Sequence, residues 1–235
     1  MNFMRDMCMA RLYVVATPIG NLEDITLRAL RVLKEIDFII CEDTRVTSKL
    51  LARYEIKKPL MSYSQHSKFS RVEEIMARLG RGENAALVTD AGTPSISDPG
   101  GVLIKILTSK LGSLEVSPIP GPCAAIAALS ISGLPADSFL FLGFPPHKKG
   151  RQKFWKQVVE SKETVVFYES PHRILKSLEE LKNNLITQSL NNSIVVCREL
   201  TKMFESIYRG TIDSVLAQVQ KDPVKGEYVV IIAPT

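Results

Sequence analysis

Two carboxylates and a guanidinium fall within four consecutive positions of Cys41-Glu42-Asp43-Thr44-Arg45, directly after the apolar pair Ile39-Ile40. A buried strand that ends there delivers these charges at its carboxyl edge, where α/β folds keep their ligand chemistry. Asp43 or Thr44 also suits a helix N-cap, because a short oxygen-bearing side chain accepts from the first helical amides. Glu42 and Arg45 have no such structural use. In the second half, Tyr168-Glu169-Ser170-Pro171-His172-Arg173 and Cys197-Arg198-Glu199-Leu200-Thr201-Lys202 repeat the pattern, an acid among cations after an apolar run. Glu169 and Glu199 read equally as proton acceptors or as ion-pair partners of Arg173 and Arg198. His172 alone reads as a cap or surface residue rather than a base.

Three loops rich in proline, glycine and small residues also follow apolar runs. The first, Thr17-Pro18-Ile19-Gly20-Asn21, joins a strand to a helix-patterned segment but has one glycine, with neither GxGxxG nor GxxxxGK[ST]. A proline and a β-branched residue stand where a phosphate cradle needs glycines, so the turn suits a small ligand other than NAD or ATP. The second loop runs from Val88 to Gly100 and contains Ala91-Gly92-Thr93, small enough for backbone to approach a ligand closely; Asp98 suits a cap for the next helix. The third is Ser117-Pro118-Ile119-Pro120-Gly121-Pro122-Cys123-Ala124. All three converge on one edge of one sheet. Cys123 reads as a small buried residue, since no base lies near it in sequence.

Apolar runs at 12–16, 38–41, 59–62, 85–89 and 114–117 predict the short buried strands that carry these loops. Helical spacing predicts intervening helices over 24–35, 44–54, 70–80, 101–109 and 124–132. Strict strand–helix alternation implies a mostly parallel sheet covered on both faces. The pattern pauses at Gly133-Leu134-Pro135-Ala136-Asp137, which divides the chain into domains at 1–134 and 135–235. Beyond it, strands are predicted at 139–144, 164–168, 193–197, 205–209 and 228–232, and helices at 151–160, 173–185 and 212–220. Some of these strands follow one another without a crossover helix, so the second sheet contains antiparallel pairs.

The 235 residues hold no apolar run long enough for a membrane span, and residues 1–11 lack the apolar core of a signal peptide and read as a terminus. Cys8, Cys41, Cys123 and Cys197 are isolated, which argues against both a zinc site and a disulfide framework. The chain therefore reads as cytoplasmic and without metal. Its net charge of +5 is modest and concentrates in His147-Lys148-Lys149-Gly150-Arg151-Gln152-Lys153-Phe154-Trp155-Lys156, five basic residues with no acid. That segment is either a solvated loop entering a helix or a phosphate-backbone contact with Phe154 or Trp155 available for stacking.

TPIGN, CEDTR, DAGTP, ISDPG, PGPCAA, FYESPHR and CRELTK, in this order across residues 12–233, resemble the bacterial 16S rRNA (cytidine-2′-O)-methyltransferases. That group lies within the tetrapyrrole (precorrin/uroporphyrinogen III) methylase superfamily. The resemblance implies two α/β lobes, the first with a mostly parallel sheet and the second with a mixed one. It also implies S-adenosyl-L-methionine (AdoMet) bound in the cleft between them, and a homodimer. Superfamily cofactor contacts, carried over by position, fall on Ile19, Gly20, Ala91, Gly92, Thr93, Ile96, Cys123, Ala124, Tyr168, Glu169 and Leu200. Thr93 stands where the superfamily has an acid, and Cys123-Ala124 where it has two hydroxyl residues, so backbone contacts carry over better than polar ones.

The implied reaction is methyl transfer to the ribose 2′-hydroxyl of a decoding-site cytidine in 16S rRNA, within the 30S subunit. That hydroxyl titrates far above neutrality and needs a positioned acceptor; it also separates RNA from DNA. The catalytic candidates are Glu42, Asp43, Arg45, Glu169 and Glu199. Lys148, Lys149, Arg151, Lys153, Arg173, Arg198 and Lys202 are the RNA-contact candidates. The alternatives are a methylase of the same fold acting on a tetrapyrrole or a diphthamide precursor, and an RNA-binding assembly module without catalysis. CEDTR, ESPHR and RELTK favour the rRNA group.

Overall fold

The computed structural model describes residues 10–64, 67, 69–187 and 193–234; Cys8 and nearly all of the N-terminal segment 1–11 lie outside them. It divides into two compact units, one running to Cys123 and one starting at Ala124. The turn cluster at 133–137 lies inside the second unit, because the helix before it packs on that unit's sheet.

The first unit alternates β1 (Arg11–Val15), α1 (Leu27–Glu35), β2 (Phe38–Cys41), α2 (Thr44–Arg53), β3 (Leu60–Ser62), α3 (Phe69–Gly80), β4 (Ala85–Leu87), α4 (Gly100–Lys110) and β5 (Glu115–Ile119). Its strands lie in the order β3-β2-β4-β1-β5, and every pairing is parallel. The alternating faces of β2 show why the strand sequences are apolar throughout. Ile39 and Cys41 pack with Val32 and Leu33 of α1 and Leu50 and Leu51 of α2, whereas Phe38 and Ile40 pack with Ile75 of α3 and Leu103 and Leu107 of α4. A parallel sheet buried on both faces requires this. Pro118 sits in β5, an edge strand, where a missing amide leaves no ladder bond unmade.

α1 starts three residues later than the sequence pattern suggests. Thr26 Oγ1 accepts from Ala29 N at 3.1 Å and sets the boundary, while Leu22–Asp24 form a separate 3₁₀ turn.

The second unit comprises α5 (Ala124–Ser132), β6 (Phe139–Phe141), α6 (Arg151–Val159), β7 (Thr164–Glu169), α7 (Ile174–Thr187), β8 (Ile194–Arg198), β9 (Ser206–Gly210), α8 (Ile212–Val219) and β10 (Tyr228–Ile232). Its sheet runs β6-β7-β10-β8-β9, parallel between β6 and β7 and antiparallel elsewhere. The mixed sheet expected from adjacent strands without crossovers is present. β7 and β8 both oppose β10, so the ends of β6, β7 and β8 share one edge. α6, α7 and α8 cover one face through Trp155, Leu178, Leu181 and Val215, packed on Phe167, Val196 and Val230. α5 covers β7 and β10 from its own side. β6 is shorter than predicted because Gly143 turns the chain at φ +63°.

No described helix is long and apolar enough to cross a membrane, and no described group of His, Cys, Asp and Glu side chains is arranged to hold a metal ion.

Candidate active site

In the first unit, three loops leave neighbouring strands β4, β1 and β5 and are tied together by their own hydrogen bonds. Thr17 N donates to Gly92 O at 2.9 Å, and Gly92 N donates back to Thr17 O at 3.1 Å. Buried Thr17 adds its hydroxyl to Thr89 O at 3.1 Å, and Thr93 Oγ1 donates to Pro122 O at 3.0 Å. Gly92 has φ +85°, and a Cβ there would stand 3.4 Å from Ile19 Cγ2 and 3.7 Å from Pro122 O. Only glycine enters that conformation without strain. Ile19, Gly92, Thr93 and Cys123 are thereby collected at one place, with Gly20, Ala91 and Ile96 exposed beside them. The arrangement offers backbone and small side chains to a ligand, not a ring of charges.

The acids stand next to it. Asp43 N donates to Asp90 Oδ1 at 3.1 Å, so the loop after β2 is fastened to the loop after β4. Asp43 caps α2, accepting from Arg45 N at 2.8 Å, and the Arg45 guanidinium bridges both its oxygens. Those hydrogen bonds pull the Asp43 carboxyl down to about 2. Arg45 is therefore occupied by the cap. Glu42 moves the other way: loss of hydration raises its pKa first, and the negative charges of Asp90 and Asp98 add to it. Asp90 is raised as well, chiefly by loss of hydration. Both remain exposed by area, and so accessible to a solute. Asp98 turns inward, its Oδ1 accepting from Ser95 N at 2.8 Å and from Gly100 N, the first residue of α4, at 2.7 Å.

In the second unit the candidate acids are engaged internally. Glu169, 1% exposed, accepts from Ser170 N at 2.7 Å and Ser177 Oγ at 2.5 Å and pairs with Arg173 at 2.9 Å. Glu199 has φ +53°, and its Oε1 accepts from Lys202 Nζ at 2.8 Å and Glu227 N at 3.0 Å. Burial alone would raise the Glu199 pKa, but the Lys202 ammonium and the Glu227 amide outweigh it and hold the carboxyl below the usual range.

Arg198 is buried and donates to Lys225 O at 3.2 Å. Leu200 is buried, and Tyr168 OH accepts from Ala125 N at 3.1 Å. Ala124 opens α5 and is half-buried.

The basic segment divides in two. Lys148, Lys149 and Lys153 are exposed, but Arg151 is 8% exposed, its Nε 2.6 Å from Glu180 Oε2. Phe154 and Trp155 do not stand ready to stack on bases. They lie in the core against Phe167, because residues 154, 155, 158 and 159 recur at helical spacing on the inner face of α6. Trp155 Nε1 is itself satisfied by Glu180 Oε2 at 2.6 Å.

Sequence reasoning missed Asp90, although it follows β4 as Glu42 follows β2. It also missed Ser177 and Glu180; with Arg173 their four- and three-residue spacing places a polar stripe on an otherwise apolar helix face.

The two-unit α/β architecture is shared with a known class of methylase. Residues 11–216 match the family model of Tetrapyrrole (Corrin/Porphyrin) Methylases. A cobalt precorrin-4 methyltransferase superposes with TM-score 0.73 at 17% identity, covering 99% of this chain and 98% of that one. A uroporphyrin-III-C-methyltransferase from Thermus thermophilus gives 0.64 at 19% identity, covering 94% of each chain. At such identities the likeness shows the fold alone.

Sequence relatives narrow the class. The ribosomal RNA small subunit methyltransferase I of Synechocystis is 44% identical over 96% of this chain and 79% of its own length. Its counterpart in Hydrogenobaculum is 45% identical over 95% of each. The chain belongs to the ribosomal RNA small subunit methyltransferase I family, within the tetrapyrrole methylases.

Proposed function

We propose that this protein transfers the methyl group of AdoMet to the ribose 2′-hydroxyl of a decoding-site cytidine in 16S rRNA, acting in the cytoplasm as a homodimer on the 30S subunit. The observation that carries the reading is the near full-length identity of 44–45% with relatives named for small-subunit rRNA methylation. That match lies over a unit whose three small-residue loops stand fastened at one sheet edge.

The loop set fits the cofactor. The exposed Gly20, Ala91 and Ile96 and the half-buried Thr93 and Cys123 suit a ligand that is part polar and part aromatic, while Ile19 and Gly92 are buried beneath them. When bound, AdoMet supplies a methyl carbon made electrophilic by its sulfonium.

This chain's part is to align the attacking oxygen and to take its proton. Glu42 is the acceptor we favour among the four candidate carboxylates. Asp43 is held ionised by Arg45, Glu169 is buried and bonded through both oxygens, and Glu199 is held below the usual range by Lys202 and the Glu227 amide on Oε1. Glu42 is exposed and its pKa is raised, which makes it the more basic acceptor. During transfer the Glu42 carboxylate would take the 2′-hydroxyl proton. Lys148, Lys149 and Lys153 supply exposed positive charge for RNA phosphates.

The test is incubation with tritiated AdoMet and 30S subunits from a strain lacking the modification, with the label mapped by nuclease digestion. The expected result is label on the 2′-oxygen of one cytidine. Tight AdoMet binding with no label in 30S or naked rRNA would overturn the rRNA reading in favour of a tetrapyrrole or protein substrate.

A further inference from the structure

The loop that carries Lys148 and Lys149 leaves β6, the parallel neighbour of β7, so it emerges beside the end of β7 at Glu169. Two guanidinium groups hold its first residues. Arg173 Nη1 donates to Pro145 O at 3.0 Å, and Arg151 Nη1 donates to Pro146 O at 2.9 Å.

Both arginines trace back to one carboxylate. Glu169 Oε1 pairs with Arg173 at 2.9 Å, while Oε2 accepts from Ser177 Oγ at 2.5 Å, and that hydroxyl accepts from Arg151 Nη2 at 2.9 Å. Glu180 closes the far side, taking Arg151 Nε and Trp155 Nε1 on one oxygen, each at 2.6 Å. Glu169 and Ser177 are at most 1% exposed, and Arg151 is 8% exposed. A buried network with every member satisfied is rigid, and losing one member strands its partners. The next residues, His147 through Gly150, are exposed and carry Lys148 and Lys149.

We propose that Glu169 is a positioning residue. Through Arg173 on one side and Ser177–Arg151 on the other, it clamps the 145–151 loop in one conformation and presents Lys148 and Lys149 to the phosphate backbone of rRNA. The clamp stands on the geometry alone; its target rests on the function proposed above. Ordering the backbone that carries the two ammonium groups before the encounter lowers the entropy cost of binding, so the clamp acts on substrate affinity.

The decisive variant is Ser177→Ala, which removes the central hydroxyl and leaves the core volume nearly unchanged. Its first readout needs no substrate: the trypsin cleavage rate after Lys148 and Lys149, measured by mass spectrometry against cleavage elsewhere in the chain. A rise of about tenfold is expected, because the loop opens locally rather than with the whole unit. The second readout is steady-state methylation of 30S subunits. KM for 30S rises about tenfold while kcat and AdoMet affinity stay at wild-type values.

In a Lys148→Ala/Lys149→Ala background, Ser177→Ala adds nothing further to KM, because a clamp that works through those lysines has nothing left to present. Unchanged trypsin cleavage overturns the proposal, and so does a fall in kcat with KM unmoved. Should Ser177→Ala fail to fold, Ser177→Cys, which puts a weakly hydrogen-bonding thiol in the same place, is read in the same way. A wild-type enzyme inert on 30S, with the trypsin effect intact, refutes the rRNA reading and leaves the clamp standing.

Discussion

Asp98→Ala is the sharpest probe of the loop that follows β4. In the native loop Ser95 and Ser97 hold φ of +74° and +64°, left-handed conformations at non-glycine residues. Each costs about 1 kcal/mol. One carboxylate oxygen offsets that strain by accepting from Ser95 N and Gly100 N at 2.8 and 2.7 Å. Hydrogen bonds to a charged acceptor contribute about 1.5 kcal/mol each, so their sum is about 3 kcal/mol. Asp98 is half-buried and water can replace part of the interaction, which brings the expected loss to about 2 kcal/mol.

The local readout is hydrogen exchange at the Ser95 and Gly100 amides, which speeds about 30-fold for that loss. The global readout is a fall in Tm of about 4–8 °C. Loop relaxation also displaces Thr93 and Ile96, so AdoMet affinity measured by calorimetry falls about tenfold or more. Asp98→Asn keeps the accepting oxygen and retains most of both quantities. An Asp98→Ala protein with wild-type exchange at those two amides and wild-type AdoMet affinity would refute the claim that this carboxylate shapes the loop.

Glu42→Gln lowers kcat on 30S subunits about 100-fold or more with AdoMet affinity unchanged, and an undiminished kcat removes it as the proton acceptor. In the wild type, kcat falls with decreasing pH through a midpoint above the ordinary glutamate value, because the raised pKa means the acceptor is protonated sooner. An NMR titration is expected to place the Asp43 carboxyl at about 2, and Arg45→Ala to move it back up toward 3.8. Its depressed value makes the cap a stabilising contact above pH 3.8 that disappears as pH falls through 2. Cys197, pushed up to about 11 by burial, and buried Cys41 resist a thiol reagent in the native protein at pH 8, while half-buried Cys123 is modified; peptide mapping separates them. Gly226→Ala destabilises the turn before β10, since a Cβ there would come within 2.7 Å of Glu199 Cγ at φ +101°; a wild-type melting curve would count against it.

The sheet architecture was legible because the central strands β2 and β4 are apolar on both faces and each helix interrupts with a different period. Ile39 and Ile40 already show that no face of β2 meets water. The convergence of the small-residue loops was legible for the same reason, since parallel strands all release their loops at one edge. Orientation was not. Arg151 reads as one more cation in a basic run, and only its buried partners Ser177 and Glu180, 26 and 29 positions away, turn it inward. Phe154 and Trp155 were readable as core from their spacing with Val158 and Val159, but the surrounding charges masked that pattern. Glu42, Glu169 and Glu199 look equivalent as letters. They differ because Ser177, Lys202 and Glu227 occupy two of them, and only tertiary structure supplies those neighbours.

The placement of β10 has a consequence for synthesis on the ribosome. Among the described strands it is the last to be made, yet it lies between β7 and β8, whose apolar edges meet no other partner in the gap it fills. All five first-unit strands precede Cys123, so that unit can close while translation continues. The second sheet cannot. Until residues 228–232 leave the exit tunnel, β7 and β8 wait as two separate edges rich in valine, the kind of exposed template that pairs with a neighbouring chain. The nascent protein thus passes through a half-folded interval in which it is open to aggregation or to capture by a chaperone.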